Sequence, residues 1–199
     1  SFGFAYSTPK KIKADLTATR ALTDGPINAN FFVFKREILP GNGIQSAALE
    51  ALRNLPIEGE YTLAIPSEPF FPNVEIQLEP IWEFPPDILT FYFGIPAETI
   101  IKKAQSLGIS VGVTATDPKE ALAIEKSGAN FIVAQGIEAG GHRGTFNPDY
   151  EDDDLYLDDL IKKLVELTHL PIVAAGAIMN GGDIARVLKL GATAVQMGT

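Results

Sequence analysis

The chain has no cysteine in its 199 residues. Disulfides, zinc–thiolate sites and cysteine nucleophiles are therefore excluded. Histidine is scarce, with only His142 and His169. Basic residues are outnumbered: 16 Lys and Arg stand against 25 Asp and Glu, for a formal net charge of −9. Phosphate backbones reward a basic surface, so no nucleic-acid partner is expected. No apolar run is long enough to span a membrane and no signal peptide is visible, so no membrane partner and a cytoplasmic location are expected. No G-x-G-x-x-G follows a strand-like run, which removes the fingerprint of dinucleotide-binding open sheets. The first residue is Ser1 rather than methionine.

What is present reads as an ordinary globular protein with one sizeable core: 46% of residues are hydrophobic and 21% charged. Short apolar runs alternate with helical patterns, the mark of repeated β-α units and a parallel sheet. Seven runs read as strands: 2–6, 26–34, 88–93, 110–115, 130–134, 171–175 and 194–197. Helices are expected from Pro9, over 44–55, 96–107, 118–126 and 155–167, and from Gly182 or Asp183 to Leu190. Thr8 and Asp117 stand where N-caps belong, each followed by a proline suited to a first helical turn. Residues 56–86, rich in proline and carrying Trp82, read as an irregular, elaborated connection and a candidate lid or partner surface. Strands that are short and almost wholly apolar suit a sheet covered on both faces. The expected fold is α/β, a TIM-type (β/α)8 barrel of parallel strands. Such a barrel needs eight strands, so its first strand and a C-terminal segment are expected to be missing from this chain.

The richest stretch is Ala134-Gln135-Gly136-Ile137-Glu138-Ala139-Gly140-Gly141-His142-Arg143-Gly144. It sets a histidine among glycines after a strand, on the face where barrels carry their chemistry. Glycines allow sharp turns and close approach to a ring or phosphate, and an imidazole can move protons near neutral pH. A lone histidine is more often structural, and His169, just before a strand at the opposite end, reads that way. Arg143 could steady an anionic substrate, although solvent exposure suits an arginine beside glycines. Glu138 could orient His142 or merely cap the loop.

A second loop, Gly176-Ala177-Ile178-Met179-Asn180-Gly181-Gly182-Asp183, leads into a helix, whose N-terminus favours an anion. Gln196-Met197-Gly198-Thr199 closes the neighbouring strand. Adjacent late strand ends are where barrels commonly hold a phosphate; tight turns alone would also explain either loop. Asn30 and Gln135 are polar residues in or ending strands. Each amide suits either a heteroaromatic ring edge or a buried structural hydrogen bond. The acidic run Asp149, Glu151, Asp152, Asp153, Asp154, Asp158 and Asp159 reads as a solvated loop and helix start; it lacks calcium-loop spacing, and no metal site is expected.

At these residues the chain resembles the nitronate monooxygenase family, formerly called 2-nitropropane dioxygenases. The resemblance is carried by AQGIEAGGHRG at 134–144, PIVAAGAIMNGG at 171–182 and AVQMGT at 194–199, with weaker matches at Asn30-Phe31-Phe32 and Phe91 to Pro96. It implies one incomplete FMN-binding barrel domain over 1–199. It implies FMN contacts from Asn30, Gln135, Gly140, Gly176, Gln196, Met197, Gly198 and Thr199, with His142 as the catalytic histidine. The implied reaction is oxidation of a nitronate or nitroalkane by oxygen to a carbonyl compound and nitrite. Flavin-dependent enoyl-acyl-carrier-protein reductases, which use NAD(P)H, resemble the same family and share a glycine-glycine-histidine loop. A catalytically inactive, barrel-derived binding module is the non-enzymatic alternative. The family usually has Gly-Gly where this chain has Gly176-Ala177.

Overall fold

The computed structural model describes residues 1–34, 41–56, 59, 62–65 and 67–198. Its centre is a single parallel sheet of seven strands that pair in chain order: β1 (Phe2–Gly3), β2 (Asn28–Phe32), β3 (Ile88–Tyr92), β4 (Ser110–Ala115), β5 (Phe131–Gln135), β6 (Ile172–Ala175) and β7 (Ala194–Gln196). The helices are α1 (Pro9–Arg20), α2 (Asn42–Arg53), α3 (Val74–Gln77), α4 (Glu79–Glu83), α5 (Glu98–Ser106), α6 (Pro118–Ser127), α7 (Leu157–Leu167) and α8 (Gly181–Lys189). The sheet is curled as the wall of a TIM-type barrel is. Among the described residues, no helix is long and apolar enough to cross a membrane.

Side chains alternate across each strand, and the two faces differ in kind. One face carries Ala29, Phe31, Leu89, Phe91, Val111, Val113, Ile132, Ala134, Ile172 and Ala174, none more than 3% exposed. Helices supply the matching surface. In α7 the buried set Leu157, Leu160, Ile161 and Leu164 follows the one-face spacing of a helix. Each such side chain, fully buried, stabilises the fold by about 1.5–3 kcal/mol.

The other face is more polar than the short apolar runs imply. It presents Asn28, Asn30, Thr90, Thr114, Gln135 and Gln196 between Phe32, Tyr92 and Val133. The register aligns Asn30 with Thr90, Thr90 with Gly112, Thr114 with Val133, and Gln135 with Ala175 and thence Gln196. Gly112 is required here, because a Cβ would run into the Phe131 ring lying across it.

The expected helix starts hold at chemical detail. Thr8 Oγ1 accepts from Lys11 N, and Asp117 Oδ1 accepts from Lys119 N and Glu120 N at 2.6 and 2.8 Å. α8 begins at Gly181, ahead of the expected Gly182 or Asp183, because Asn180 and Asp183 form a reciprocal capping box. The connection over 56–86 is not wholly irregular. Asn73 caps α3, α4 follows directly, and both helices pack on α1. The prolines that made this segment look unstructured sit partly at a helix start, as Pro80 does in α4. Gln77, 1% exposed, donates to the carbonyls of Phe4, Ala5 and Ser7, tying this segment to the turn after β1.

Candidate active site

The carboxyl ends of β3 to β7 surround a cleft of about 630 Å³. Its walls include Tyr92, Thr114, Val133 and Gln135, and its far side is built from Gly140, Gly176, Gln196, Met197 and Gly198. A smaller cavity of about 230 Å³ adjoins it, lined by Asn30, Phe32, Thr90 and His142. The two spaces share Tyr92, Thr114, Val133 and Gln196 as common wall. His142 and the two glycine loops therefore border adjoining cavities that share these four wall residues. Thr199 lies outside the described residues. His169 is exposed and precedes β6, at the opposite end of the sheet.

His142 sits in the loop between β5 and α7. Its imidazole is exposed and lies beside two rings, with centroid separations of 6.3 Å to Phe32 and 5.9 Å to Phe93. Its backbone is held firmly. Tyr92 Oη donates to the His142 carbonyl at 2.7 Å, and Gln135 Nε2 donates to the same oxygen at 3.0 Å. Gln135 Nε2 also donates to Tyr92 Oη at 2.5 Å, while Gln135 Oε1 accepts from Gly144 N at 2.7 Å. The Gly144 N–H needs an oxygen opposite it, which fixes the orientation of the amide. Burial pushes the Tyr92 phenol above its ordinary value, so it remains a proton donor at neutral pH.

Arg143 and Asp152 behave differently from expectation, and Glu138 takes the second of its two open readings. Arg143 is not solvated: its side chain is 19% exposed, and its guanidinium grips the Asp152 carboxylate from Nε and Nη2 at 2.6 and 2.9 Å. Its remaining bonds go to the carbonyls of Gln135 and Thr116, at the ends of β5 and β4. Asp152 accordingly leaves the solvated acidic run, and the Arg143 hydrogen bond holds its carboxyl below the usual range. Glu138 does not reach His142; both its oxygens accept from Leu157 N, capping α7.

Asn30 makes the structural hydrogen bond that its position allowed, and it also borders a cavity. Its Nδ2 donates to Thr90 Oγ1 at 2.9 Å, and the residue lines the smaller cavity.

Two further residues matter that single-sequence reading passed over. Tyr92 belongs to both cavities, and its place follows from the alternation of β3. Glu120, 6% exposed, accepts from Thr116 N and Oγ1 through one oxygen and from Phe146 N and Thr145 Oγ1 through the other. Burial raises its pKa, and the hydrogen bonds from Phe146 and Thr116 only partly offset that. Its spacing after Thr116-Asp117 is that of an ordinary cap, which gives no hint of the loop it anchors.

The glycine loops offer a donor set suited to an anion. The N–H groups of Gly176, Ala177 and Ile178 donate to no described residue, although all three residues line the cleft. Gly176 has φ +133° and Ala177 φ +46°. Ala177 thus holds a left-handed conformation normally left to glycine, at the place where the resemblance has one. Cβ atoms added at Gly140, Gly181 or Gly198 would meet nothing within 4 Å.

The model of the family described as nitronate monooxygenase matches residues 1–199. The chain belongs to that family. Nitronate monooxygenase of Pseudomonas aeruginosa is 37% identical over 209 residues, covering 100% of this chain and 57% of its own length. Its counterpart in Paraburkholderia phytofirmans is 39% identical over 187 residues, covering 91% and 50%. The chain thus spans about half the length of the curated relatives it matches. Among solved structures, nitroalkane oxidase from Streptomyces ansochromogenes superposes with a TM-score of 0.83 at 32% identity, over 99% of this chain and 56% of that one. FabK from Thermotoga maritima has the same fold, with a TM-score of 0.69 at 21% identity over 98% and 48%.

Proposed function

We propose that this protein is an FMN-dependent oxidoreductase that converts nitronates, with oxygen, to a carbonyl compound and nitrite. The observation that carries the reading is the shared wall of two adjoining cavities, one bordered by His142 and the other by the glycine loops. Membership of the nitronate monooxygenase family supports the reaction class.

The residues present fit FMN. Unpartnered N–H groups at 176–178 and the open backbone of Gly198 would hold its phosphate, helped by the N-terminus of α8. Gly140 and Met197 would flank it, and Asn30, Gln135 and Gln196 would face the ring system. When bound, FMN supplies the electron acceptor and the reactivity toward oxygen.

The chain's own residues supply the rest. His142 takes the α-proton from a nitroalkane, which delivers the nitronate where it reacts. Toward a nitronate already formed, an imidazole N–H donates to a nitro oxygen and stabilises its charge. Phe32 and Phe93 lie beside the imidazole and give it an aromatic wall on one side.

The test is a visible spectrum of the intact protein, followed by nitrite release from propionate 3-nitronate in air. Bound flavin with stoichiometric nitrite is expected, and loss of nitroalkane turnover in His142→Asn. Absence of flavin overturns the cofactor assignment. Flavin that ignores nitronate, is bleached by NADPH and is reoxidised by crotonyl thioester overturns the reaction in favour of an enoyl-thioester reductase.

A further inference from the structure

We propose that Arg143 is a positioning residue: with Asp152 it locks the loop bearing His142 against the ends of β4 and β5, and so sets where the imidazole stands over the cleft. The inference rests on the reading of His142 given above.

The loop needs such a device. No regular secondary structure runs from 136 to 156, and glycines occupy 136, 140, 141 and 144. Glycine-rich chain loses more conformational freedom on ordering than any other. The His142 imidazole hydrogen-bonds to no described residue, so its placement depends on its backbone. That backbone is tied from the cleft side by Tyr92 and Gln135. Arg143, the next residue, ties it to two strand ends.

The guanidinium is well suited to this task. Four of its five N–H groups are engaged, two of them in a fork against one carboxylate. Fork geometry fixes orientation as well as distance, which a lysine ammonium cannot do. Asp152 is itself held, since its Oδ1 also accepts from Asp154 N at 2.9 Å. The chain returning to α7 is fastened to the loop's base by Ile137 N donating to Leu155 O, at 2.9 Å, and by Leu157 N donating to the Glu138 carboxylate. With its donors turned toward protein acceptors, Arg143 serves the loop and not the anionic substrate.

The experiment uses the full-length protein with FMN. Arg143→Ala, Arg143→Lys and Asp152→Asn are made alone and in a His142→Ala background. Three quantities are read: hydrogen exchange of the 140–146 amides, FMN affinity, and kcat/KM for a nitroalkane. Exchange in the loop is expected to quicken at least about tenfold in Arg143→Ala, as local opening becomes easier. FMN affinity stays unchanged, and kcat/KM falls by about 10²-fold, the effect of a displaced reacting group. In the His142→Ala background the Arg143 substitutions cause no further loss, because both act through one imidazole. Arg143→Lys restores little. Unchanged loop exchange overturns the inference, as do losses that multiply with that of His142→Ala. The exchange measurement needs no turnover, so it decides the clip even if the intact protein fails to oxidise nitronates. Should Arg143→Ala fold poorly, Arg143→Lys and Asp152→Asn carry the same readouts.

Discussion

The phenol of Tyr92 donates to the main-chain carbonyl of His142 at 2.7 Å. A half-buried strand residue in the cleft wall thus holds the backbone of a loop residue whose side chain is exposed. Gln135 Nε2 shares both partners, so the carbonyl keeps one donor if the other is removed.

Tyr92→Phe should therefore weaken the arrangement without abolishing it. The variant is expected to lose about 1 kcal/mol of stability, the usual worth of a neutral hydrogen bond. Turnover should drop severalfold with FMN affinity unchanged. Urea unfolding and flavin titration check both, and a loss of flavin would show that Tyr92 supports the cofactor and not the loop.

Ala177 occupies φ +46° at the end of β6. A left-handed alanine costs about 1–2 kcal/mol, and glycine there costs roughly 0.4–1 kcal/mol through the greater freedom of the unfolded chain. Ala177→Gly should raise the urea midpoint, corresponding to a net gain of up to about 1.6 kcal/mol. A lower midpoint would mean that the alanine methyl makes contacts outweighing its strain.

The opposite pKa shifts of Glu120 and Asp152 give opposite pH dependences. Burial raises Glu120 above its unfolded value, about 4.3. Its proton-linked stability is complete below that value and is lost as pH rises through the raised folded pKa. Asp152 is lowered, chiefly by the Arg143 hydrogen bond, from an unfolded value of about 3.9. Its contribution is present above that value and lost as pH falls through the folded pKa. Glu120→Gln should thus gain on the wild type as pH climbs from 4 upward, whereas the penalty of Asp152→Asn should shrink on acidification below about pH 4. Urea midpoints across pH 3–8 test both slopes, and a reversed sign for either rejects its assignment.

These pairs also mark what a single sequence conveys. The seven strands were legible because each apolar run is short and bounded by turn residues, and the caps at Thr8 and Asp117 act locally within one turn. Gln135 and Gly176 could be placed at strand ends for the same reason. Arg143 could not be read correctly, because its partners lie at positions 116, 135 and 152, brought together only by the curl of the sheet. The polar concave face was hidden for a related reason. Asn28, Thr90 and Gln196 look like isolated exceptions within their own strands and form one surface only when the register aligns them. The helices at 74–83 were masked by neighbouring prolines.

Two glycines in the same loop should separate folding from cofactor binding. A Cβ at Gly144 would lie 2.9 Å from Thr114 Cγ2, 3.0 Å from Tyr92 Cζ and 3.1 Å from Gln135 Oε1, all in the packed wall. Gly144→Ala must push the loop away from Gln135, stretching the Gly144 N–H bond, at about 1–3 kcal/mol. Gly140 is different: a Cβ there meets nothing within 4 Å and points into open space beside the cleft. Gly140→Ala should leave the melting temperature nearly unchanged and weaken FMN binding severalfold, because the methyl takes space the cofactor needs. Flavin fluorescence titration beside thermal melting resolves the pair. If Gly140→Ala binds FMN like the wild type, then Gly140 is not a cofactor contact and its place in the loop serves only the turn toward His142.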